Sequence, residues 1–233
     1  MAVSMAVMRV LKKQGGISCA EDCAFMAGHS LGEYSALTAA GAIDMEHTAR
    51  LLKIRGEAMQ KAVPVGIGAM AAILGLDFDT VKEIAKEAAA KAGADQVCDP
   101  ANDNSVGQVV VSGHEGAVEI AVKLATEQGA KRAVMLPVSA PFHCSLMAPA
   151  AQRMASALAD TDIRPPCVPI ISNITAKKVS EPSEIRTLLV DQITGMVRWR
   201  ESVSYMKENG VERIVELGAV SYTHLTLPTK RIV

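Results

Sequence analysis

The middle of the chain alternates between short apolar runs and longer stretches with helical spacing. Ala, Ile, Val and Met dominate most of the short runs, whereas Ala, Lys and Glu recur along the stretches between them. The predicted elements are, in chain order, a strand at 68–76, a helix at 80–92, strands at 97–102 and 108–112 joined by a turn at Asn104-Ser105, a helix at 115–127 and a strand at 132–138.

That order of elements, βαββαβ, is typical of the ferredoxin-like unit. We therefore predict the fold class α/β: a hydrolase-like domain with a parallel sheet, formed by residues 1–65 and 138–219, into which a ferredoxin-like domain at 66–137 is inserted. A ligand site is expected in the groove between the two domains. Residues 220–233 show no helical period and contain a proline, so we predict that they are an artefactual tail outside the fold.

One short motif carries candidate chemistry near the start. Residues 23–27 are small and apolar and predict the end of a buried strand, residues 33–40 predict a helix, and Gly28-His29-Ser30-Leu31-Gly32 lies between them. A G-x-S-x-G pattern between strand and helix is typical of a nucleophile elbow. We expect the Ser30 hydroxyl to be exposed at this turn, with the backbone N–H of Leu31 directed at an oxyanion.

A serine nucleophile needs a general base, and the chain has five histidines. His29 lies inside the elbow, where its side chain is expected to point away from that of Ser30. His47 and His114 lie in polar helix or turn sequence and are expected to be solvated, and His224 lies in the tail. His143 follows the apolar strand at 132–138 and precedes a helix that begins near residue 145. An α/β enzyme places catalytic groups at such a position, so His143 is the candidate base.

Composition narrows the function class. A chain of 233 residues with 49% hydrophobic residues and a formal net charge of −1 is typical of a globular enzyme. No apolar run approaches the ~20 residues that a membrane span needs, no secretory signal is recognisable at the start, and few aromatic residues argue against nucleic acid. Five scattered cysteines favour a reducing cytoplasm over a disulfide scaffold, and they lack metal-site spacing, so no metal is expected.

Longer motifs give a family resemblance. From about residue 5 to Gly218, the chain resembles the malonyl-CoA:acyl-carrier-protein transacylases of bacterial fatty-acid synthesis in the order and spacing of its motifs. The matching segments are Gly28-His29-Ser30-Leu31-Gly32-Glu33-Tyr34-Ser35-Ala36-Leu37, Arg55-Gly56, Met59-Gln60, Asn104-Ser105, Gly107-Gln108-Val109-Val110, Ala140-Pro141-Phe142-His143-Cys144-Ser145-Leu146-Met147, Ser172-Asn173, Gln192, Trp199 and Val215-Glu216-Leu217-Gly218.

The resemblance implies an acyltransferase that works through a malonyl-serine ester. Ser30 would attack the thioester of malonyl-CoA, and His143 would move the proton in both half-reactions. A backbone carbonyl at the position of Gln192 would orient the imidazole, and Arg55 would bind the malonyl carboxylate. A planar guanidinium suits that last role, since it can donate two parallel charge-assisted hydrogen bonds to a carboxylate.

The resemblance also implies the remaining site residues and the partners. Asn104 and Gln192 belong to the expected substrate-binding set, together with Phe142, whose ring would occupy the volume that an α-methyl group needs. A methylene-sized difference is worth only ~1–3 kcal/mol, so preference for malonyl over methylmalonyl is expected rather than exclusion. Malonyl-CoA and acyl carrier protein are the expected partners of a cytoplasmic monomer. No cofactor is expected, since malonyl-CoA is a substrate.

Three other functions remain open at this point. A serine thioesterase or esterase would need an acid, and five aspartates lie between Ser30 and His143: Asp77, Asp79, Asp95, Asp99 and Asp103. An acyltransferase module from a megasynthase would share the chemistry. An inactive fragment could only bind carrier protein, through cations that include Lys131, Arg132, Lys177, Lys178, Arg198 and Arg200.

The two ends of the chain differ from the resembled family. Family members begin with a further strand and a glycine-rich loop that supplies a second oxyanion donor, and they end in a closing helix that is not recognisable after Gly218. We therefore expect the chain to be a fragment that folds poorly and is nearly inactive, because losing one oxyanion donor typically costs ~10²–10³ in rate.

Overall fold

A computed structural model describes residues 1–218, so the predicted tail at 220–233, residue 219 of the predicted large domain and His224 lie outside the described residues. The helices are α1 (Ala2–Gln14), α2 (Cys19–Asp22), α3 (Leu31–Ala39), α4 (Met45–Ala62), α5 (Phe78–Ala92), α6 (Glu115–Glu127), α7 (Ala148–Ala159), α8 (Pro182–Thr194) and α9 (Trp199–Glu208), with a 3₁₀ turn at Ser145–Met147. The strands are β1 (Met26–Ala27), β2 (Gly68–Leu74), β3 (Cys98–Ser105), β4 (Gln108–His114), β5 (Arg132–Met135), β6 (Ile170–Ile171) and β7 (Lys178–Val179).

The larger sheet has four antiparallel strands in the order β3-β4-β2-β5. In chain order these strands alternate with α5 and α6 as βαββαβ, which is the predicted ferredoxin-like arrangement. Apolar residues of α5 recur at 81, 84, 85 and 88, so a single face of this helix packs against one face of the sheet. The sheet and its two helices lie within residues 68–135; the predicted domain limits at 66 and 137 stay a prediction.

Details of this unit differ from the sequence prediction. The strands continue to Ser105 and resume at Gln108, so the turn falls at Val106-Gly107 and not at Asn104-Ser105. Gly107, the second central residue of this turn, has a positive φ of 73°, which glycine adopts without a steric penalty. The last strand ends at Met135 instead of 138, because Pro137 has no N–H for the ladder.

His114 also differs from the prediction of a solvated side chain. It lies at the end of β4, and its Nδ1 accepts a hydrogen bond of 3.0 Å from the backbone N–H of Val97. His47 lies on the surface as predicted, beside Asp44.

The second part of the molecule is built around a small mixed sheet, β1-β6-β7, in which β1 runs parallel to β6 and β7 antiparallel to it. Helices α3, α4, α7 and α8 bury one continuous apolar core around it, with the fully buried Leu37, Met154, Leu158, Ile170 and Leu189 near its centre. The molecule is therefore of the mixed α/β class. None of the helices within residues 1–218 is both long and apolar enough to cross a membrane.

Contacts at the edge strand β3 join the two parts. The backbone of Val197, between α8 and α9, bonds to Ala101 (2.9 Å) and to Asp103 (3.0 Å), so that this segment extends the edge of the larger sheet. The carboxylate of Asp99 accepts two hydrogen bonds from Ser145, both of 3.2 Å. The contact with Asp99 therefore joins the segment that carries Ser145 to the edge strand of the larger sheet.

Candidate active site

A sharp turn carries Ser30 from β1 into α3. Ser30 itself has φ 51° and ψ −107°, a conformation that L-residues rarely adopt. Gly28 is required here, because a Cβ on it would lie 2.1 Å from backbone atoms of Gly32. Asn173, which follows β6, fixes the turn from the neighbouring strand: its Oδ1 accepts from the Ser30 N–H (2.7 Å) and its Nδ2 donates to the Gly28 carbonyl (2.8 Å).

His143 lies opposite the serine. Its Nε2 is 2.8 Å from Ser30 Oγ, and its Nδ1 is 2.8 Å from the backbone carbonyl of Gln192 on α8. A carbonyl only accepts, so Nδ1 carries the proton and Nε2 is free to accept from the hydroxyl. Burial, and then the charge of Arg55, lower the pKa of His143 to about 3. The imidazole is therefore neutral and able to take a proton throughout the physiological range.

Arg55 reaches the same hydroxyl from α4. Its Nη2 donates to Ser30 Oγ (2.8 Å) and to Gln192 Oε1 (3.2 Å), and its side chain is buried under the ring of Tyr34, 5.8 Å from Cζ. Within residues 1–218, Nε of this guanidinium has no hydrogen-bond partner. A buried, incompletely paired cation beside the Ser30 hydroxyl is suited to binding an anionic group there.

Gln192 is completely buried, and its side chain contacts groups of the protein. Nε2 donates to the Ser30 carbonyl (3.0 Å) and to Oε2 of Glu33 (2.7 Å). Gln192, which the resemblance puts in the substrate-binding set, therefore lies behind Ser30 and the imidazole of His143 in the structure.

The other predicted residues lie around the elbow at different distances from the hydroxyl. Asn104 is buried on β3 and accepts a 2.8 Å hydrogen bond from Nε2 of His29, so it contacts the elbow and not Ser30 itself. Phe142 is half-buried and packs against the apolar clusters of both sheets. The N–H of Leu31 belongs to the first turn of α3, where amides have no intrahelical acceptor.

Sequence reasoning missed two residues of this arrangement. Glu33 sits three residues after Ser30, a spacing that is usually explained by helix capping, yet its side chain is buried. Asn173 belongs to one of the matching motifs, but the sequence assigns it no role. Its position directly after an apolar strand, as for Ser30, was the available signal, because the carboxyl ends of parallel strands meet at one edge.

The geometry disfavours a hydrolase triad. The imidazole Nδ1, where a triad acid would bind, is occupied by the Gln192 carbonyl. Asp77 caps α5, Asp99 binds Ser145 and Asp103 binds Arg200. In the part of the chain that the structure describes, no group of three His, Cys, Asp or Glu side chains is placed to hold a metal ion.

Comparison with known proteins assigns the family. The acyl transferase domain family matches residues 1–224. The chain is 47% identical to the malonyl CoA-acyl carrier protein transacylase of Escherichia coli K12, over all of this chain and 72% of that protein. It is 42% identical to the transacylase of the same name from Bacillus subtilis, over 94% of this chain and 66% of that one.

Solved structures agree with this assignment. An acyl-carrier-protein S-malonyltransferase from Bartonella henselae superimposes with a TM-score of 0.91 at 52% identity, covering 96% of this chain and 70% of that one. A malonyl-transacylase in complex with its type II PKS acyl-carrier protein gives 0.90 at 42% identity, covering 96% and 70%. The chain therefore belongs to the acyl transferase domain family.

Proposed function

We propose that this protein transfers a malonyl group from coenzyme A to the pantetheine thiol of acyl carrier protein, through an ester on Ser30. One observation carries the proposal: Ser30 Oγ lies 2.8 Å from a neutral imidazole and 2.8 Å from a buried guanidinium. The first group supplies a base for nucleophilic attack, and the second selects an acyl chain that ends in a carboxylate. The names of the relatives support the same substrates.

In the first half-reaction, Ser30 Oγ attacks the thioester carbonyl while its proton moves to Nε2 of His143. The tetrahedral oxyanion is stabilised by the Leu31 N–H at the start of α3. The carbon–sulfur bond then breaks, and Nε2 returns the proton to the departing coenzyme A thiolate. The products are free coenzyme A and malonyl-Ser30.

The second half-reaction reverses these steps with a different thiol. The pantetheine thiol gives its proton to His143 and attacks the ester carbonyl, and Ser30 Oγ leaves with the proton from Nε2. Atoms and electrons balance in both halves without an electron donor or acceptor, so we propose no cofactor. The Gln192 carbonyl holds Nδ1–H throughout and stabilises the imidazolium that forms transiently.

Substrate choice is assigned to Arg55 and Phe142. Arg55 pairs with the malonyl carboxylate, and this ion pair offsets the cost of burying the charged guanidinium. An acetyl group has no carboxylate, so it leaves the guanidinium unpaired. Phe142 limits the space for an α-substituent. We place the substrate groove between the two sheets, with Asn104 on the wall formed by the ferredoxin-like domain and its partner His29 on the elbow that faces it.

We further propose that the protein acts as a cytoplasmic monomer. Ser30, His143 and Arg55 all come from one chain, so no second copy is needed to bring these three side chains together. All five cysteines are unpaired, which suits a reducing compartment.

The test is intact-protein mass spectrometry after brief mixing with malonyl-CoA, followed by addition of acyl carrier protein. The proposal requires a malonyl adduct in the parent, even where its formation is slowed by ~10²–10³-fold, no adduct in Ser30→Ala, and transfer of the adduct to the carrier faster than its loss to water. Circular dichroism shows whether each variant is folded. A folded parent without adduct contradicts the proposal, and an adduct lost to water at the same rate with and without carrier indicates a thioesterase.

A further inference from the structure

Glu33 is a buried carboxylic acid that the steps above do not use. It lies in the first turn of α3 with 3% of its surface exposed, surrounded by the core that α3, α4 and α8 form. Burying an acid is unfavourable unless its oxygens are hydrogen-bonded. Here two hydrogen bonds converge on one atom, Oε2.

The two donors to Oε2 come from distant parts of the chain. Nε2 of Gln192 donates at 2.7 Å, and the backbone N–H of Asn173 donates at 3.2 Å. Gln192 lies 159 residues after Glu33 and Asn173 lies 140 residues after it. One oxygen atom therefore joins α8 to the loop after β6.

Each donor also holds one partner of the reacting pair. The backbone carbonyl of Gln192 accepts from Nδ1 of His143, while the side chain of Asn173 binds the Ser30 N–H. The position of the imidazole relative to the hydroxyl thus depends on the relative position of two segments that Glu33 connects.

The surroundings of Glu33 favour an acceptor more than a charge. Burial raises its pKa to about 7, and the bonds from Gln192 and Asn173 and the charge of Arg55 only partly offset this. A group that is half protonated near neutral pH can still accept both bonds at Oε2, with its proton on the other oxygen.

We propose that Glu33 is a positioning residue for malonyl transfer: its Oε2 holds Gln192 and Asn173 in register, and thereby fixes His143 opposite Ser30. It acts through those residues and touches neither substrate nor reacting atoms. The proposal rests on the proposed function, since the reaction it assists is that transfer.

Three substitutions of Glu33 separate the effect of the position of its acceptor oxygen from the effect of its negative charge. Glu33→Gln keeps an acceptor oxygen at the same distance from the backbone and removes the charge. Glu33→Asp keeps the charge but withdraws the oxygens by one methylene. Glu33→Ala removes both. If the acceptor matters, Gln should restore what Ala and Asp lose.

The experiment measures single-turnover loading of malonyl-CoA by rapid quench, which yields a maximal rate and a half-saturating concentration. A misplacement of catalytic groups by about 1 Å can lower the rate ~10²-fold. We expect the maximal rate to fall ~10–100-fold in Glu33→Asp and Glu33→Ala and to stay within about threefold of the parent in Glu33→Gln. The half-saturating concentration should change little, because Arg55 remains in place.

Two controls remove the effect of lost stability. Leu37→Ala changes a fully buried residue of the same helix that has no part in these bonds, so it should lower the melting temperature while leaving the loading rate near that of the parent. The Nδ1–H resonance of His143, followed by NMR in protein with ¹⁵N-labelled histidine, should persist in Glu33→Gln and be lost to exchange in Glu33→Asp.

Several outcomes would overturn the proposal. Loading by Glu33→Asp at the parent rate, or a loss in Glu33→Gln equal to that in Glu33→Asp, excludes a role for the acceptor oxygen. A parent that fails to load malonyl-CoA contradicts the proposed function instead, and the imidazole resonance then still decides whether Glu33 positions His143.

Discussion

Ser30 and His143, which share a 2.8 Å hydrogen bond, both have left-handed backbones, with φ of 51° and 59°. Among the non-glycine residues at 1–218, only Ala176 shares this feature. Strained residues of this kind cost on the order of 1–3 kcal/mol each and persist only where the surrounding structure imposes them. The strain is therefore concentrated at the two residues to which we assign the reaction.

This strain predicts an unusual order of stability at position 30. Glycine in place of alanine normally destabilises a protein by roughly 0.5–1 kcal/mol, but at a positive φ the preference reverses. We expect Ser30→Gly to be more stable than Ser30→Ala by about 1 kcal/mol in urea unfolding. Ala90→Gly, at an exposed position of α5, is the matched control and should be destabilising. Equal stability of the two variants at position 30 would show that the turn is not strained.

The low pKa of His143 predicts the pH dependence of loading. Because burial and Arg55 lower this pKa to about 3, the imidazole stays neutral as pH falls from 8 to 5. The single-turnover rate of malonyl loading should therefore not decline tenfold per pH unit below 6.5, as it would for an ordinary histidine. Glu33→Gln serves as the background for this measurement, since it removes the other titrating group of the site. A decline centred near pH 6.5 would contradict the assigned environment of His143.

Arg55 and Arg50 form a matched pair on α4. Arg55 is buried against Ser30 Oγ, whereas Arg50 is exposed and paired with Glu46. We expect Arg55→Ala to lower malonyl loading ~10²-fold or more and to leave acetyl loading from acetyl-CoA almost unchanged, because only malonyl carries the carboxylate. Arg50→Ala should alter neither loading rate when each acyl-CoA is mixed with the protein separately and the adduct is followed by rapid quench. Equal losses for both acyl groups would indicate that Arg55 supports Ser30 alone.

The ion pair between Arg200 and Asp103 predicts a large effect on stability. The Asp103 side chain is 1% exposed and both of its oxygens accept from Arg200 Nε, at 3.0 and 2.9 Å. Arg200→Glu leaves a buried carboxylate unpaired, which should lower the free energy of unfolding by about 3 kcal/mol.

Arg198→Glu is the control for that measurement. Arg198 pairs with the half-exposed Glu201, so its loss should cost no more than about 1 kcal/mol. The double variant Arg200→Ala with Asp103→Asn should recover part of the stability, because no charge is then left buried. If Arg200→Glu and Arg198→Glu melt at the same temperature, Asp103 is better solvated than the structure indicates. Arg200→Glu is expected to destabilise the protein. Weaker binding of acyl carrier protein by this variant would therefore not show by itself that Arg200 contacts the carrier.

Glu33 makes stability depend on pH in a defined direction. Its folded pKa of about 7 lies above the usual 4.5, so the folded state retains the proton longer and stability is lost as pH rises from 4.5 to 7. At about 1.4 kcal/mol per pKa unit, Glu33→Gln should gain on the order of 3 kcal/mol relative to the parent across this window. His143 acts in the opposite direction, because its lowered pKa removes stability as pH falls below 6.5. Urea titrations of the parent and of Glu33→Gln at each pH give the difference in their free energies of unfolding. A difference that does not change with pH would show that Glu33 is more exposed to water than the structure indicates.

Local signals in the sequence were sufficient for some features and not for others. Apolar spacing alone predicted α6 at 115–127, and the G-x-S-x-G pattern predicted the strand–turn–helix around Ser30. The roles of Arg55 and Gln192 could be predicted only from the family resemblance. Arg55 lies 25 positions from Ser30 in the sequence and Gln192 lies 162 positions from it, and contacts over such separations leave no local pattern. Glu33 was missed because an acid in the first turn of a helix normally faces water, and the sequence does not show that α8 covers it.

The bonds from Asn173 to the elbow have a consequence for the order of folding. They join Ser30 and Gly28 to a residue 143 and 145 positions later, so the strained turn has no support while only the first part of the chain exists. At about 5–20 residues per second, the ribosome needs on the order of ten seconds to add that segment. The strained turn can therefore be held in place only after residue 173 has been added, and we expect Ser30 of a growing chain not to be acylated before then.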